Sequence, residues 1–251
     1  MIVLGFDTST SASAVALRLA DGRTTQARDD PAAGTHPGHA TRLLEMAREL
    51  LAAAEVGWRE LDRIAVGVGP GTFTGLRVGV ATARGLAQSL SAELVGVSSL
   101  QALAAGAFAC GPAAAEGSAP GTVLAVIDAR RGEVFAAAYE SSGDRPRELT
   151  APRALVPERL AEVVAEAEDV AGAPRSWLAV GDGAVRFRPQ LESAGIAVPQ
   201  DSSPLQQVSA AVVCELAVNA PATSLHTLAP DYRRRPDAEL ALAGAGRGSV
   251  T

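Results

Sequence analysis

The run Gly69-Pro70-Gly71-Thr72-Phe73-Thr74-Gly75-Leu76-Arg77-Val78-Gly79 is the stretch of this chain best suited to chemistry. It follows the apolar residues 64–68 and precedes a helical pattern, so it reads as a strand, a glycine-rich turn and a helix start. Such a turn can aim backbone N–H groups at an anion, or let two backbones approach closely. It is not a P-loop, because Gly75 is followed by Leu76 and Arg77 where a lysine and a hydroxyl residue are needed. It also misses the dinucleotide fingerprint: Gly67 and Gly69 fit, but Thr72 stands at the third glycine position. A second candidate is Asp7-Thr8-Ser9-Thr10. A strand-ending aspartate followed by hydroxyls can face a nucleotide phosphate or its magnesium, or form a turn satisfied by its own side chains. Asp7, Thr8, Ser9 and Thr10 are therefore candidate phosphate-contact residues. The later turn Asp128-Ala129-Arg130-Arg131 has long arginines where small glycines would give a phosphate room. Those arginines can bind an anion bidentately or close a cleft with salt bridges.

Other reactive residue types offer less. His36 and His39 are three apart with Pro37 and Gly38 between them and no cysteine near, the pattern of a structural or surface pair. Gly96-Val97-Ser98-Ser99-Leu100 begins like a nucleophile elbow but lacks the closing glycine. With three histidines in the chain, His36, His39 and His226, a serine–histidine pair has few options. All 22 basic side chains are arginine, which removes Schiff-base lysine chemistry. Cys110 and Cys214 are far apart in apolar surroundings and read as buried reduced thiols. The net charge of −6 argues against a free-standing nucleic-acid binder, which needs a basic face. The start lacks a basic leader, and no apolar stretch is long enough to span a bilayer, so a cytoplasmic protein without a membrane contact is expected.

The elements that must position these residues follow from periodicity. Residues 2–6, 12–19 and 24–28 read as strands, the last two joined by a hairpin at Asp21-Gly22. Ala40, Leu43, Leu44, Ala47, Leu50, Leu51 and Ala54 mark a helix over 40–54. Strands at 64–68 and 93–97 flank a helix over 74–91, and Ser98 caps a helix over 100–108. Residues 110–121 form a Gly-, Pro-, Ala- and Ser-rich boundary. The pattern then restarts: strand 122–127, turn 128–132, strand 133–139, a Pro-started helix over 157–167, and strand 177–180 ending at Gly181-Asp182-Gly183. Leu205, Val208, Val212 and Leu216 give a last amphipathic helix. Two α/β lobes of related design are expected, each headed by an acidic turn. Their bounds are 1–109 for the first, 110–204 for the second, 205–220 for a helix packing back on the first, and 221–251 for a partly disordered tail.

Gly75, Gly79, Ala83 and Ala87 lie four apart, forming a small-residue ridge that permits close packing. The ridge can pack on its own sheet, meet a partner subunit, or do both on different faces. The candidate partner-interface residues are Leu43, Ala47, Leu50, Gly75, Leu76, Gly79, Val80 and Ala83, which would make the first lobe the dimerisation lobe.

Asp7-Thr8-Ser9-Thr10, the run from Gly69 to Gly79 and Asp128-Ala129-Arg130-Arg131-Gly132-Glu133-Val134-Phe135 together resemble the bacterial TsaB (YeaZ) family of tRNA threonylcarbamoyladenosine biosynthesis proteins. The likeness is strong over residues 1–139 and continues weakly through Gly181-Asp182-Gly183 and Pro230-Asp231-Tyr232-Arg233. It implies an α/β, two-lobed actin-like ATPase (ribonuclease H-like) fold with mixed sheets flanked by helices. It also implies a non-catalytic subunit that partners TsaD, the transferase moving a threonylcarbamoyl group onto N6 of a tRNA adenosine, together with the ATPase TsaE. Self-association in isolation, tRNA contact only through the complex, and no cofactor of its own belong to the same implication, with ATP or ADP held at the complex interface. In the catalytic paralogue two histidines four apart on a helix bind metal. The matching positions here hold Ser99 and Leu103, and leucine cannot coordinate a metal while a neutral serine is a poor ligand. Two rival readings are an actin-fold small-molecule kinase or ATPase, binding nucleotide through Asp7–Thr10 and residues 181–183, and an M22-type metallopeptidase. The missing histidine pair argues against the latter.

Overall fold

The computed structural model describes residues 1–32, 38–109, 121–143, 145–173 and 175–234. His36, Cys110 and the tail beyond Arg234 lie outside them. The first sheet begins with β1 (Val3–Asp7), whose five residues are all buried, as a central strand requires. It pairs antiparallel with β2 (Ser13–Arg18), which turns through Gly22 (φ +90°) into β3 (Thr24–Asp29). β3 is the partly exposed, polar edge. On its other side β1 runs parallel to β4 (Arg63–Gly69), and β4 to β5 (Glu93–Ser98), giving the order β3-β2-β1-β4-β5.

Side-chain alternation sends Leu4, Phe6, Val15, Leu17, Ile64 and Val66 to one face of this sheet, where α1 (His39–Ala53) and α2 (Phe73–Leu90) cover them. Val3, Ala14, Ala16, Ala65 and Val95 face the other way, toward α3 (Ser99–Ala109) and the late helix α7 (Ala210–Val218). That second cluster runs on into Ile127, Phe135, Tyr139 and Val180 of the second sheet, so α3 and α7 share an apolar core with both sheets.

The second sheet repeats the plan. β6 (Thr122–Arg130) pairs antiparallel with β7 (Glu133–Glu140), which pairs antiparallel with the short β8 (Arg147–Glu148) and β9 (Arg153–Leu155). β10 (Trp177–Val180) runs parallel to β6. Its far face packs on α4 (Leu160–Ala171), α5 (Asp182–Arg186) and α6 (Arg188–Ser193) through Leu160, Val163, Ala184 and Leu191. Two mixed sheets flanked by helices, each opening with an antiparallel pair extended by a parallel strand, make this the actin-like, ribonuclease H-like α/β fold that the resemblance implied.

Four local expectations change. The turn expected at 128–132 starts later, because Asp128 and Arg130 still pair with Val134 and Glu133; the reversal falls on Arg130, Arg131 and Gly132, all with positive φ. The helix expected over 157–167 opens as a 3-10 turn, Pro157–Arg159, and runs on to Ala171, where Gly172 (φ +75°) stops it. The last helix is not one amphipathic unit. Leu205 lies in a 3-10 turn, Pro204–Gln206, and α7 starts after Ser209, whose hydroxyl accepts from Val212 N. Lastly, in α1 the exposed positions include Ala40 and Leu44, while Met46 is buried.

Candidate functional site

β1 delivers Asp7 into a buried polar knot. Asp7 Oδ1 accepts from Ser9 N (2.8 Å) and Ser9 Oγ (2.6 Å), and Oδ2 accepts from Ser99 Oγ (2.7 Å) at the start of α3. A carboxylate 2% exposed needs such donors to remain in the interior. Thr8 Oγ1 donates to Gly75 O (2.7 Å), and Ser9 O accepts from Thr72 N (2.6 Å), tying the β1–β2 turn to the first turn of α2. Ser13 Oγ and His39 Nδ1 lie 2.8 Å apart, bringing in β2 and α1. Burial pushes the His39 imidazole below its ordinary range, opposed by the charges of Asp7 and Asp29.

The glycines of the motif serve this contact. A Cβ at Gly75 would overlap Thr8 O, one at Gly79 would overlap Thr8 Oγ1, and one at Gly67 would overlap the Asp7 carboxylate. Of the two uses open to such a turn, close backbone approach is what the geometry displays. The candidate phosphate residues are placed accordingly. The hydroxyl protons of Thr8 and Ser9 already go to Gly75 O and Asp7, and both residues are fully buried. Thr10 is half-buried, and its Oγ1 accepts from Ala12 N (3.3 Å).

The second lobe presents its own acidic turn. Asp128 Oδ1 accepts from Arg130 N (2.9 Å), and Oδ2 accepts from Arg186 Nη1 (2.8 Å) and lies 3.5 Å from Arg130 Nη1. Asp128 N in turn donates to Asp182 Oδ1 (3.0 Å) at the start of α5. Low-polarity surroundings raise the Asp182 carboxyl to about 6, although part of the residue reaches solvent. The Asp128 N–H opposes that rise, the Asp128 charge adds to it, and Arg130 opposes it. Gly181 N donates to Gln206 Oε1 (2.8 Å), fixing the Gly181-Asp182-Gly183 turn. Of the two roles open to the arginines here, ion pairing inside the turn is the one Arg130 and Arg186 display.

The two positions that the resemblance matched to metal ligands, Ser99 and Leu103, do not fit a metal. Ser99 is fully buried with its proton given to Asp7, and Leu103 is 2% exposed in the shared core. One neutral hydroxyl and one alkyl chain offer no ligand set. Among the described residues no three His, Cys, Asp or Glu side chains gather where they could hold an ion. Cys214 is buried beneath β1, its thiol pushed up to about 12 chiefly by burial.

The ridge on α2 turns inward. Gly75, Leu76, Gly79, Val80 and Ala83 are buried, as are Leu43 and Ala47 on α1, while Leu50 is half-buried. A partner on these helices would therefore meet the residues beside them. The outward face of α2 carries Thr74, Arg77, Ala81, Arg84 and Gly85, and α1 presents Leu44, 44% exposed. A Cβ at Gly85 would meet nothing within 4 Å. Sequence reasoning had Tyr232 only as part of the tail stretch and missed its packing on Phe73, with ring centroids 5.0 Å apart. It missed the Ser99–Asp7 and Ser13–His39 pairs as well, whose members lie 92 and 26 residues apart.

Comparison with known proteins adds four findings. Residues 31–229 match the family described as TsaD, tRNA N6-adenosine threonylcarbamoyltransferase. The chain is 31% identical over 194 residues to the tRNA threonylcarbamoyladenosine biosynthesis protein TsaB of Escherichia coli, covering 73% of this chain and 72% of that one. It is 39% identical over 135 residues to TsaB of Haemophilus influenzae, covering 54% and 52%. Its fold superposes with a TM-score of 0.73 and 30% identity on a crystal structure of an uncharacterized Pseudomonas aeruginosa protein with similarity to peptidase YeaZ, covering 93% of this chain and 99% of that one.

Proposed function

The chain belongs to the TsaB (YeaZ) branch of the tRNA N6-adenosine threonylcarbamoyltransferase family, and from that membership we propose that it is a non-catalytic subunit in the synthesis of threonylcarbamoyladenosine in tRNA. The observation that carries the non-catalytic reading is the fate of the two metal positions: Ser99 serves the Asp7 knot, and Leu103 serves the core. In this reading TsaD performs the transfer, TsaE joins the assembly, and tRNA meets the chain only through the complex, in the cytoplasm. The chain holds no nucleotide of its own, and ATP or ADP is held at the complex interface. The docking surface, for TsaD and for a second copy alike, is the outward face of α1 and α2. Exposed Ala81 and Gly85, four apart, allow another helix to approach closely, and Leu44 adds apolar area.

The deciding experiment is co-purification with TsaD and TsaE, followed by a tRNA-modification assay with and without this chain. Retention of both partners, and modification that needs TsaD as well as this chain, is the expected result. Modification by this chain without TsaD would overturn the non-catalytic reading, and failure to retain TsaD would overturn the partnership. The rival kinase reading predicts calorimetric binding of ATP with magnesium by the isolated chain, with turnover.

A further inference from the structure

After α7 the chain recrosses the molecule. Thr223 N donates to Leu94 O (2.6 Å), and Leu228, 5% exposed, lies flat against Gly96 of β5, where a Cβ would collide with it. Asp231 N donates to Val68 O (2.7 Å), one residue before Gly69. Tyr232 then stacks on Phe73, and its hydroxyl accepts from Arg77 Nε (3.0 Å), whose guanidinium carbon sits 3.8 Å from the centre of the Phe73 ring. Two residues later the strap reaches the other lobe. Arg234 Nη1 donates to Ala129 O (2.9 Å) and pairs with Glu133 (3.3 Å), with its side chain 19% exposed. One short peptide thus grips the glycine-rich loop of the first sheet and the β6–β7 turn of the second.

We propose that Asp231-Tyr232-Arg233-Arg234 is a latch between the lobes, through which a contact at the Phe73–Arg77–Tyr232 stack is transmitted to the Asp128–Glu133 turn. The physical basis is the spacing of the two anchors. The aromatic anchor at Tyr232 and the charged anchor at Arg234 are two residues apart on one short segment, at most about 7 Å of chain, so slack at either is felt at the other. The stack is open to a contact from outside, because Tyr232 is 42% exposed and Arg77 lies on the outward face of α2. The second anchor is half enclosed and bonds backbone, so it reports on the position of the turn.

Hydrogen exchange read by mass spectrometry on the full chain tests the latch, with Tyr232→Ala and Arg234→Ala as the perturbations. Tyr232→Ala is expected to speed exchange in peptides covering residues 128–134 by about threefold or more, in addition to its effect near residues 69–77. Arg234→Ala is expected to speed exchange at residues 69–77 to a similar degree, since coupling between two sites is reciprocal. Changes confined to the mutated side, or no change in either peptide, would overturn the proposal. Should Tyr232→Ala fail to fold, Tyr232→Phe keeps the ring and removes only the bond from Arg77. It then gives the same far-side effect, smaller, or overturns the latch.

Discussion

Asp7 illustrates how a residue of catalytic type becomes structural: its carboxylate takes three hydrogen bonds from within the chain and anchors two serines. Asp7→Ala leaves the Ser9 and Ser99 hydroxyls without their acceptor. The expected cost is about 1–3 kcal/mol, read as a lower urea midpoint at unchanged slope. Asp182 behaves differently. Its carboxyl is raised to about 6, so the folded chain takes up a proton more readily than the unfolded one. The stability this group contributes is present in acid and is lost as pH rises through about 6. Asp182→Asn keeps an oxygen to accept from Asp128 N but carries no charge. In urea unfolding across the acid range, its stability relative to the native chain is expected to climb between about pH 4 and 6 and then level off.

At the scale of elements, α2 has two small-residue faces, one packed against the Thr8 turn and one exposed. Gly79→Leu drives a side chain into Thr8 and is expected to cost about 1–3 kcal/mol or more, visible as a lowered melting temperature. Gly85→Leu meets open space, so it should keep the melting temperature near native and, if the outward face docks TsaD, abolish co-purification. Arg63, at the head of β4, is 8% exposed and donates to the carbonyls of Ala217, Val218 and Ala220 while pairing with Glu93. It thereby fastens the C-terminus of α7 to the first sheet, and Arg63→Ala is expected to cost about 2 kcal/mol or more in urea unfolding. The fourfold spacing of Gly75, Gly79, Ala83 and Ala87 was legible in the sequence as close packing. Its target was not, because a sheet and a partner helix ask for the same small residues. The strands were legible because their apolar runs end at or near Asp, Gly or Ser turn residues, as at Asp7, Gly69, Ser98, Asp128 and Gly181. α7 was misread because, packed between the first sheet and α3, it has only Glu215 on its open stripe to mark its phase, and Leu205 and Val208 continued its spacing by coincidence across Ser209. The Asp7 knot escaped for another reason: side chains from β1, β2, α1 and α3 meet only once the sheet is assembled.

Taken whole, the molecule carries a net charge of −6, and many of its arginines are paired with carboxylates of the same chain, as Arg28, Arg147, Arg159 and Arg188 are. Isolated chain is therefore expected to show no filter binding of tRNA at about 0.15 M salt, whereas the assembled complex binds. Among the described residues no helix is long and apolar enough to cross a membrane. The late position of α7 in the chain has a consequence in time. One side of the first sheet, with Val3, Ala16 and Ala65, rests partly on Val213, Cys214 and Ala217. A ribosome that has finished the first lobe has therefore made a sheet with one side incompletely covered. The helix that completes it is translated only after the whole second lobe, so the earliest-made strands are the ones that wait longest for their packing partner.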